Sequence, residues 1–235
     1  MRDHYKGYRM PKAVIGFAVK YYLRYKLSLR DISEILLDRG IEISYETIRS
    51  WCKTWGPVFA RSIRKKRTSC ITDKWHVDEV RIKINGKIFW LWRAVDSQGE
   101  DIEILLQKKR NAKAAIRLLK NAMRRLGFSP RLMITDKLKS YKKAHKTIMS
   151  KTEHRAHKGL NNRAENSHQP TREKESQMRG FKSQGSAQRL LSSLSQINNL
   201  LKVGRFKHSA QAYKAKLKEG LAIFNSIVSS CPQSA

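Results

Sequence analysis

Acidic residues are scarce in this chain. Its 235 residues include 19 Asp and Glu against 50 Lys and Arg, a formal charge of +31. A compact protein so charged repels itself unless it meets a polyanion. Nucleic acid is therefore the first partner to expect, and an anionic membrane surface the second. Cysteine is scarce as well: Cys52, Cys70 and Cys231 are odd in number, widely spaced and form no C-x-x-C pair. They read as reduced thiols in a cytoplasmic protein and argue against a zinc site. No apolar run reaches about 18 residues, so no membrane-spanning helix is expected. The first residues, with Asp3, His4, Lys6, Arg9 and Lys12, lack the apolar core of a signal peptide. There is no internal repeat.

What is present is enough for a core. Hydrophobic residues make up 40% of the chain and include five Trp, which excludes a disordered basic tail. The length suits one large domain or two modest ones. Residues 1–60 hold 11 basic and 6 acidic residues, a net of +5, whereas residues 61–235 hold 39 and 13, a net of +26. The larger part therefore does most of the polyanion holding.

Three short helices are expected first. Val14, Phe17, Ala18, Tyr21 and Tyr25 recur at helical spacing over residues 12–26. Ser28-Leu29-Arg30-Asp31 is a capping-box pattern for a second helix, with Leu29, Ile32, Ile35 and Leu36 inward and Gly40 at its end. A third helix starts near Ser44, buries Ile48, Trp51, Cys52 and Trp55, and is expected to stop at Gly56-Pro57. The order matches a helix-turn-helix plan. Tyr45, Glu46, Thr47, Arg49, Ser50 and Lys53 would then face outward, where side chains reach base edges and phosphates. A plain helical bundle with a solvated polar face is the alternative. Residues 57–74, with Arg61, Arg64, Lys65, Lys66 and Arg67 crowded together, read as a basic linker.

Strand signals follow. Residues 75–84, the Asn85-Gly86 turn and residues 87–95 read as a β-hairpin, because Asn-Gly suits the positive φ angles of a type I′ turn. A third strand is expected over 102–106 and a helix from an Asn111 cap to Gly127. A short strand over 131–135 then delivers Asp136. Beyond it the pattern is helical: basic over 137–149, polar over 161–178, apolar-striped over 187–203 by Leu190, Leu191, Leu194, Ile197 and Leu201, and helical again over 208–230. This is a mixed α/β domain.

Within that frame three acids stand where an ion site can be built: Asp78 inside the first strand, Asp136 at the end of a later one, and Glu165 on a following helix. A carboxylate in an apolar strand is costly unless something pairs with it. Pairing with a basic side chain is one answer and a metal ion the other. Hard oxygen ligands with open positions suit Mg²⁺, which keeps waters and accepts phosphate oxygens. Glu79 points to the opposite strand face from Asp78 and reads as structural. His154 and His157 lack a third soft ligand, so phosphate contact or packing is favoured over metal binding.

These residues carry a resemblance. Trp75-His76-Val77-Asp78-Glu79, Leu91-Trp92-Arg93-Ala94-Val95-Asp96, Ile134-Thr135-Asp136-Lys137 and Asn161-Asn162-Arg163-Ala164-Glu165-Asn166, with Gly180-Phe181-Lys182-Ser183, resemble the DDE transposases of bacterial insertion sequences. The match is closest to the short, single-chain group that moves by replicative cointegrate formation. The resemblance covers nearly the whole chain. It implies a ribonuclease-H-like mixed sheet flanked by helices, preceded by a small helix-turn-helix domain. It further implies two Mg²⁺ ions (Mn²⁺ as substitute) held by Asp78, Asp136 and Glu165, and a DNA contact by Arg172, seven positions after the Glu. Its expected partners are double-stranded DNA, both element ends and target, and further copies of the chain in a homodimer or larger assembly. The interval of 28 residues between Asp136 and Glu165 is shorter than usual in the family. The expected layout is a helix-turn-helix domain at 1–56, the linker at 57–74, a catalytic domain at 75–205 and a helical tail at 206–235. Two other functions stay open at this stage: a non-catalytic repressor or architectural protein, and a plain nuclease.

Overall fold

The structure is a computed structural model and describes residues 9–67, 71–157, 161, 168–204 and 208–231. Its elements run α1 (Lys12–Arg24), α2 (Leu29–Leu37), α3 (Tyr45–Lys66), β1 (Lys74–Ile84), β2 (Lys87–Asp96), β3 (Asp101–Gln107), α4 (Ala112–Leu126), β4 (Leu132–Thr135), α5 (Lys139–Ile148), β5 (Glu153–Ala156), α6 (Gln169–Gln177), α7 (Gln184–Leu201) and α8 (Ala210–Ser230). They divide into two units: residues 1–66 with 192–235, and residues 67–191. The α7 helix runs from the second unit into the first.

The first unit is helical. Ser28 and Asp31 form the expected capping box at the start of α2, and Gly40 takes the left-handed conformation at φ 70°. Three expectations need correction here. The buried face of α1 is Ile15, Ala18, Val19, Tyr22 and Leu23, one step round from the expected stripe; Phe17 instead stacks on Tyr21, and Tyr25 meets Tyr21 at a tilt. The α3 helix does not stop at Gly56-Pro57 but continues to Lys66, so residues 57–66 are not linker. Proline removes one ladder bond and disfavours a helix interior by about 3 kcal/mol. Here Trp55, Gly56, Phe59, Ala60 and Ile63 are all buried around it, and burial at about 1.5–3 kcal/mol per large side chain outweighs that cost. Finally, α8 is no separate tail. Its Phe224 meets Phe59 of α3 edge-on at 5.5 Å, and its Val228 lies against Gly16 of α1.

The second unit holds a five-stranded sheet in the order β3-β2-β1-β4-β5. The β1, β2 and β3 strands pair antiparallel, while β4 and β5 join β1 in parallel. This is the expected ribonuclease-H-like plan. Asn85 and Gly86 carry the predicted hairpin at φ 47° and 74°. Helix α4 begins on its Asn111 cap and ends on left-handed Gly127. Its Ala115, Leu118, Leu119 and Ala122 pack with Trp75, Val77, Trp92 and Ala94 of the sheet and Tyr141 of α5. Opposite ends of the sheet are finished differently. The β3 edge is closed by α7, whose Gln184 and Gln188 side chains bond the backbone of Ile104 and Leu106, as a protected edge requires. The β5 strand was not anticipated. It is four residues long and largely exposed, and so carries no apolar alternation. No helix among the described residues is long and apolar enough to cross a membrane.

Candidate active site

Asp78 and Asp136 arrive from adjacent strands. The β1–β4 ladder ends at the Val77–Thr135 pair, so the next residue on each strand stands just past the last rung. Asn161 closes the ladder by donating its side-chain amide to the Val77 carbonyl at 3.0 Å. Beyond the rung the side chains of Asp78, Glu79 and Asp136 can lean together, and one carboxylate oxygen from each lies within 4.8 Å of the others. The expectation that Glu79 faces away from Asp78 holds for its strand face but not for its carboxylate. Long side chains at a strand edge can meet around it.

Each carboxylate has distinct support. Asp136 accepts from the Leu138 backbone N–H at 3.0 Å. Asp78 lies 3.2 Å from His168 Nε2, at the start of α6. Burial pulls His168 below its ordinary pKa, while the Asp78 bond acts in the opposite direction. Glu79 is deepest: its Oε1 accepts from Arg110 Nε at 2.7 Å and its Oε2 from the Tyr141 hydroxyl. Burial still pushes the Glu79 carboxyl upward, with those bonds pulling the other way. Burial and the adjacent Glu79 together raise the Tyr141 hydroxyl well above its usual range. Arg110 also reaches to 3.9 Å from Asp136 and lies over the Trp90 ring at 4.9 Å, a stacked cation–π position.

The donor set fits a hard divalent cation. All three groups offer oxygen, and the Asp78 and Asp136 side chains remain 14% and 30% exposed, open to water and substrate. Glu79 is nearly sealed at 1% with both oxygens engaged. Among the described residues, Asp78 and Asp136 are therefore the carboxylates of this cluster most open to a metal, with Glu79 behind them. Glu165 lies outside the described residues. Arg172 is exposed on α6, a helix anchored by Thr171 to buried Arg93 at 2.6 Å. Arg93 in turn faces Asp101 at 3.3 Å. His154 Nε2 lies 2.9 Å from Thr135 Oγ1, and its ring is 5.0 Å from that of His145. In the helical unit, Arg49, Ser50 and Lys53 are exposed and Tyr45 and Thr47 half-buried; Arg49 pairs with Glu46. Sequence reasoning missed Arg110, Tyr141 and His168. Only Arg110, directly before the Asn111 cap, carried a positional signal.

Residues 72–204 match a family described as a DDE domain, more than half of the chain. The transposase for insertion sequence-like element IS431mec of Staphylococcus aureus is 36% identical over 171 residues, covering 71% of this chain and 75% of that protein. The transposase for insertion sequence element IS257 in transposon Tn4003, also from Staphylococcus aureus, matches to the same extent. Among solved structures, the HTLV-2 integrase catalytic core domain in complex with magnesium (trimeric form) aligns with a TM-score of 0.39 and 15% identity over 57% of this chain and 88% of that one. A ribonuclease-H-like sheet with strand-borne carboxylates and a DDE-domain match defines a polynucleotidyl transferase. More narrowly, the chain belongs to the DDE transposases of bacterial insertion sequences.

Proposed function

We propose that this protein binds the terminal inverted repeats of an insertion sequence, cleaves one strand at each end and joins the freed 3′-hydroxyls to target DNA in a replicative pathway. The convergence of Asp78 and Asp136 at the end of one β-ladder, in a chain of the transposase family, carries the reading. Asp78, Asp136 and Glu165 would hold two divalent ions, Mg²⁺ with Mn²⁺ as substitute. Bound ions of this kind lower the pKa of a water or hydroxyl nucleophile and stabilise the leaving oxygen at phosphorus. The protein's part is positional. His168 orients Asp78, the Leu138 amide orients Asp136, and Arg172 contacts the terminal DNA. Tyr45, Thr47, Arg49, Ser50 and Lys53 on α3 read the ends as a recognition helix. Two ends must be held at once, so the working form is a homodimer or larger assembly.

A strand-transfer assay with paired end DNA tests this. Asp78→Asn, Asp136→Asn and Glu165→Gln should each reduce joined product by more than about 100-fold, beyond the 10–100-fold cost typical of outer-shell partners of a metal. End binding should persist in all three. Activity surviving in the Asp variants would refute the assignment. Specific DNA binding by the wild type with no metal-dependent product would leave a repressor or architectural protein, and cleavage without joining a nuclease.

A further inference from the structure

We propose that the outward face of α4 is a docking surface for the phosphate backbone of duplex DNA, read without regard to sequence, with Lys113, Arg117, Lys120 and Arg124 as its contacts. The proposal deepens the transposase reading by assigning a surface to the DNA that enters the carboxylate site.

The rotation of α4 is set by its apolar side. Ala114, Ala115, Leu118, Leu119 and Ala122 are buried against the sheet. The four basic residues recur at intervals of four, three and four, which places them on the opposite face, and all four are exposed. The helix holds five Lys and Arg and no acid. Its fifth basic residue, Arg125, is different: it is half-buried, faces Glu103 at 3.5 Å and bonds the Ile102 carbonyl. None of the four pairs with a carboxylate among the described residues; Arg124 alone has a side-chain partner, Asn121 Oδ1 at 3.3 Å. Like charges three and four apart repel on a helix, and Lys113 in the first turn opposes the helix dipole. A solvated face ordinarily mixes signs. This one bears uncompensated charge at a cost in stability, which a polyanion would remove.

The side chains of Lys113, Ile116, Arg117, Lys120, Asn121 and Arg124 together form one shallow, open depression along this face. From Lys113 to Arg124 the helix rises about 16 Å, roughly five base pairs of duplex. Arg110, three residues before Lys113 in the chain, touches Glu79 and approaches Asp136, so the segment leading into α4 comes from the site. Lysine and arginine contacts to phosphate position a duplex without reading it. A helix built for a lipid surface would expose large apolar residues. This face offers only half-buried Ile116.

The test uses the full chain and a random-sequence duplex, titrated without metal over a range of salt. A variant carrying Lys113→Gln, Arg117→Gln, Lys120→Gln and Arg124→Gln is compared with one carrying Lys202→Gln, Lys214→Gln, Lys216→Gln and Lys218→Gln, which removes equal charge elsewhere. The α4 variant should bind about 10–100-fold more weakly, with a salt slope shallower by up to about 3.6, at about 0.9 per phosphate lost. The comparison variant should lose less than about threefold. Equal losses would reduce the effect to net charge and overturn the proposal. So would an unchanged slope, or weakened binding to phosphatidylserine vesicles with duplex affinity intact. Should the fourfold variant fail to fold, Arg117→Gln and Lys120→Gln singly should each lower the slope by about 0.9. The titration contains no metal and reads affinity alone, so failure here and failure of the catalytic assignment are separate results.

Discussion

Asp78 and Glu79 are neighbours in sequence with different tasks. Asp78 is partly open and held by the His168 ring; Glu79 is sealed between a guanidinium and a phenol. Buried carboxylates are tolerated only when their oxygens are satisfied. Tyr141, itself fully buried, is the partner that can be removed without altering shape. Tyr141→Phe should therefore destabilise the fold by about 1–3 kcal/mol, the cost of an unsatisfied buried acceptor, as measured by urea denaturation. Adding Glu79→Gln should recover part of that loss, because the stranded group is then uncharged. Equal stability of Tyr141→Phe and wild type would show that the bond contributes nothing. The sequence could nominate Asp78 and Asp136 because each stands at a strand position where acids are rare. It could not reveal that Glu79 joins them, since period-two alternation predicts faces and not where a long side chain bends at a ladder's end.

At the scale of single elements, local chemistry was a good guide wherever a cap or turn needed a particular residue. The Asn85-Gly86 hairpin, the Asn111 and Gly127 ends of α4 and the Ser28–Asp31 box all formed as expected. That box makes a pH prediction. Hydrogen bonds from the Ser28 side chain and backbone hold the Asp31 carboxyl below its ordinary value. A lowered folded pKa adds stability that is complete above the unfolded value and lost as pH falls through the folded one. Ser28→Ala should cost about 1 kcal/mol near neutral pH. The gap to wild type should narrow below about pH 4 as Asp31 protonates. It should not vanish, because the Asp31 N–H to Ser28 Oγ bond at 3.1 Å does not depend on charge. A gap constant from pH 7 to 3 in denaturation experiments would contradict this. Elements governed by packing were less legible. Pro57 marks a stop by every local rule, yet α3 continues because its buried face continues.

For the whole molecule, the decisive facts are long-range. Helix α8 closes the first unit from the far end of the chain. It approaches so tightly that a Cβ at Gly220 would stand 2.6 Å from the Leu200 carbonyl oxygen. Gly220→Ala should therefore lower stability by about 1–3 kcal/mol, although alanine favours a helix by about 1 kcal/mol over glycine. A thermal melt at or above the wild-type midpoint would show that α8 is not seated so closely. What the sequence by itself determined was the chemistry: a polyanion partner from +31 charges, a mixed sheet from strand-forming runs around the Asn-Gly turn, and two strand-borne carboxylates whose motifs resemble a transposase. Composition, periodicity and turn residues act locally, so they can be read along the chain. Tertiary structure alone decided which residues stand behind those carboxylates, that residues 192–235 join residues 1–66 in one unit, and that β5 completes the sheet. Those outcomes depend on the summed burial of surfaces far apart in sequence, which no local pattern records.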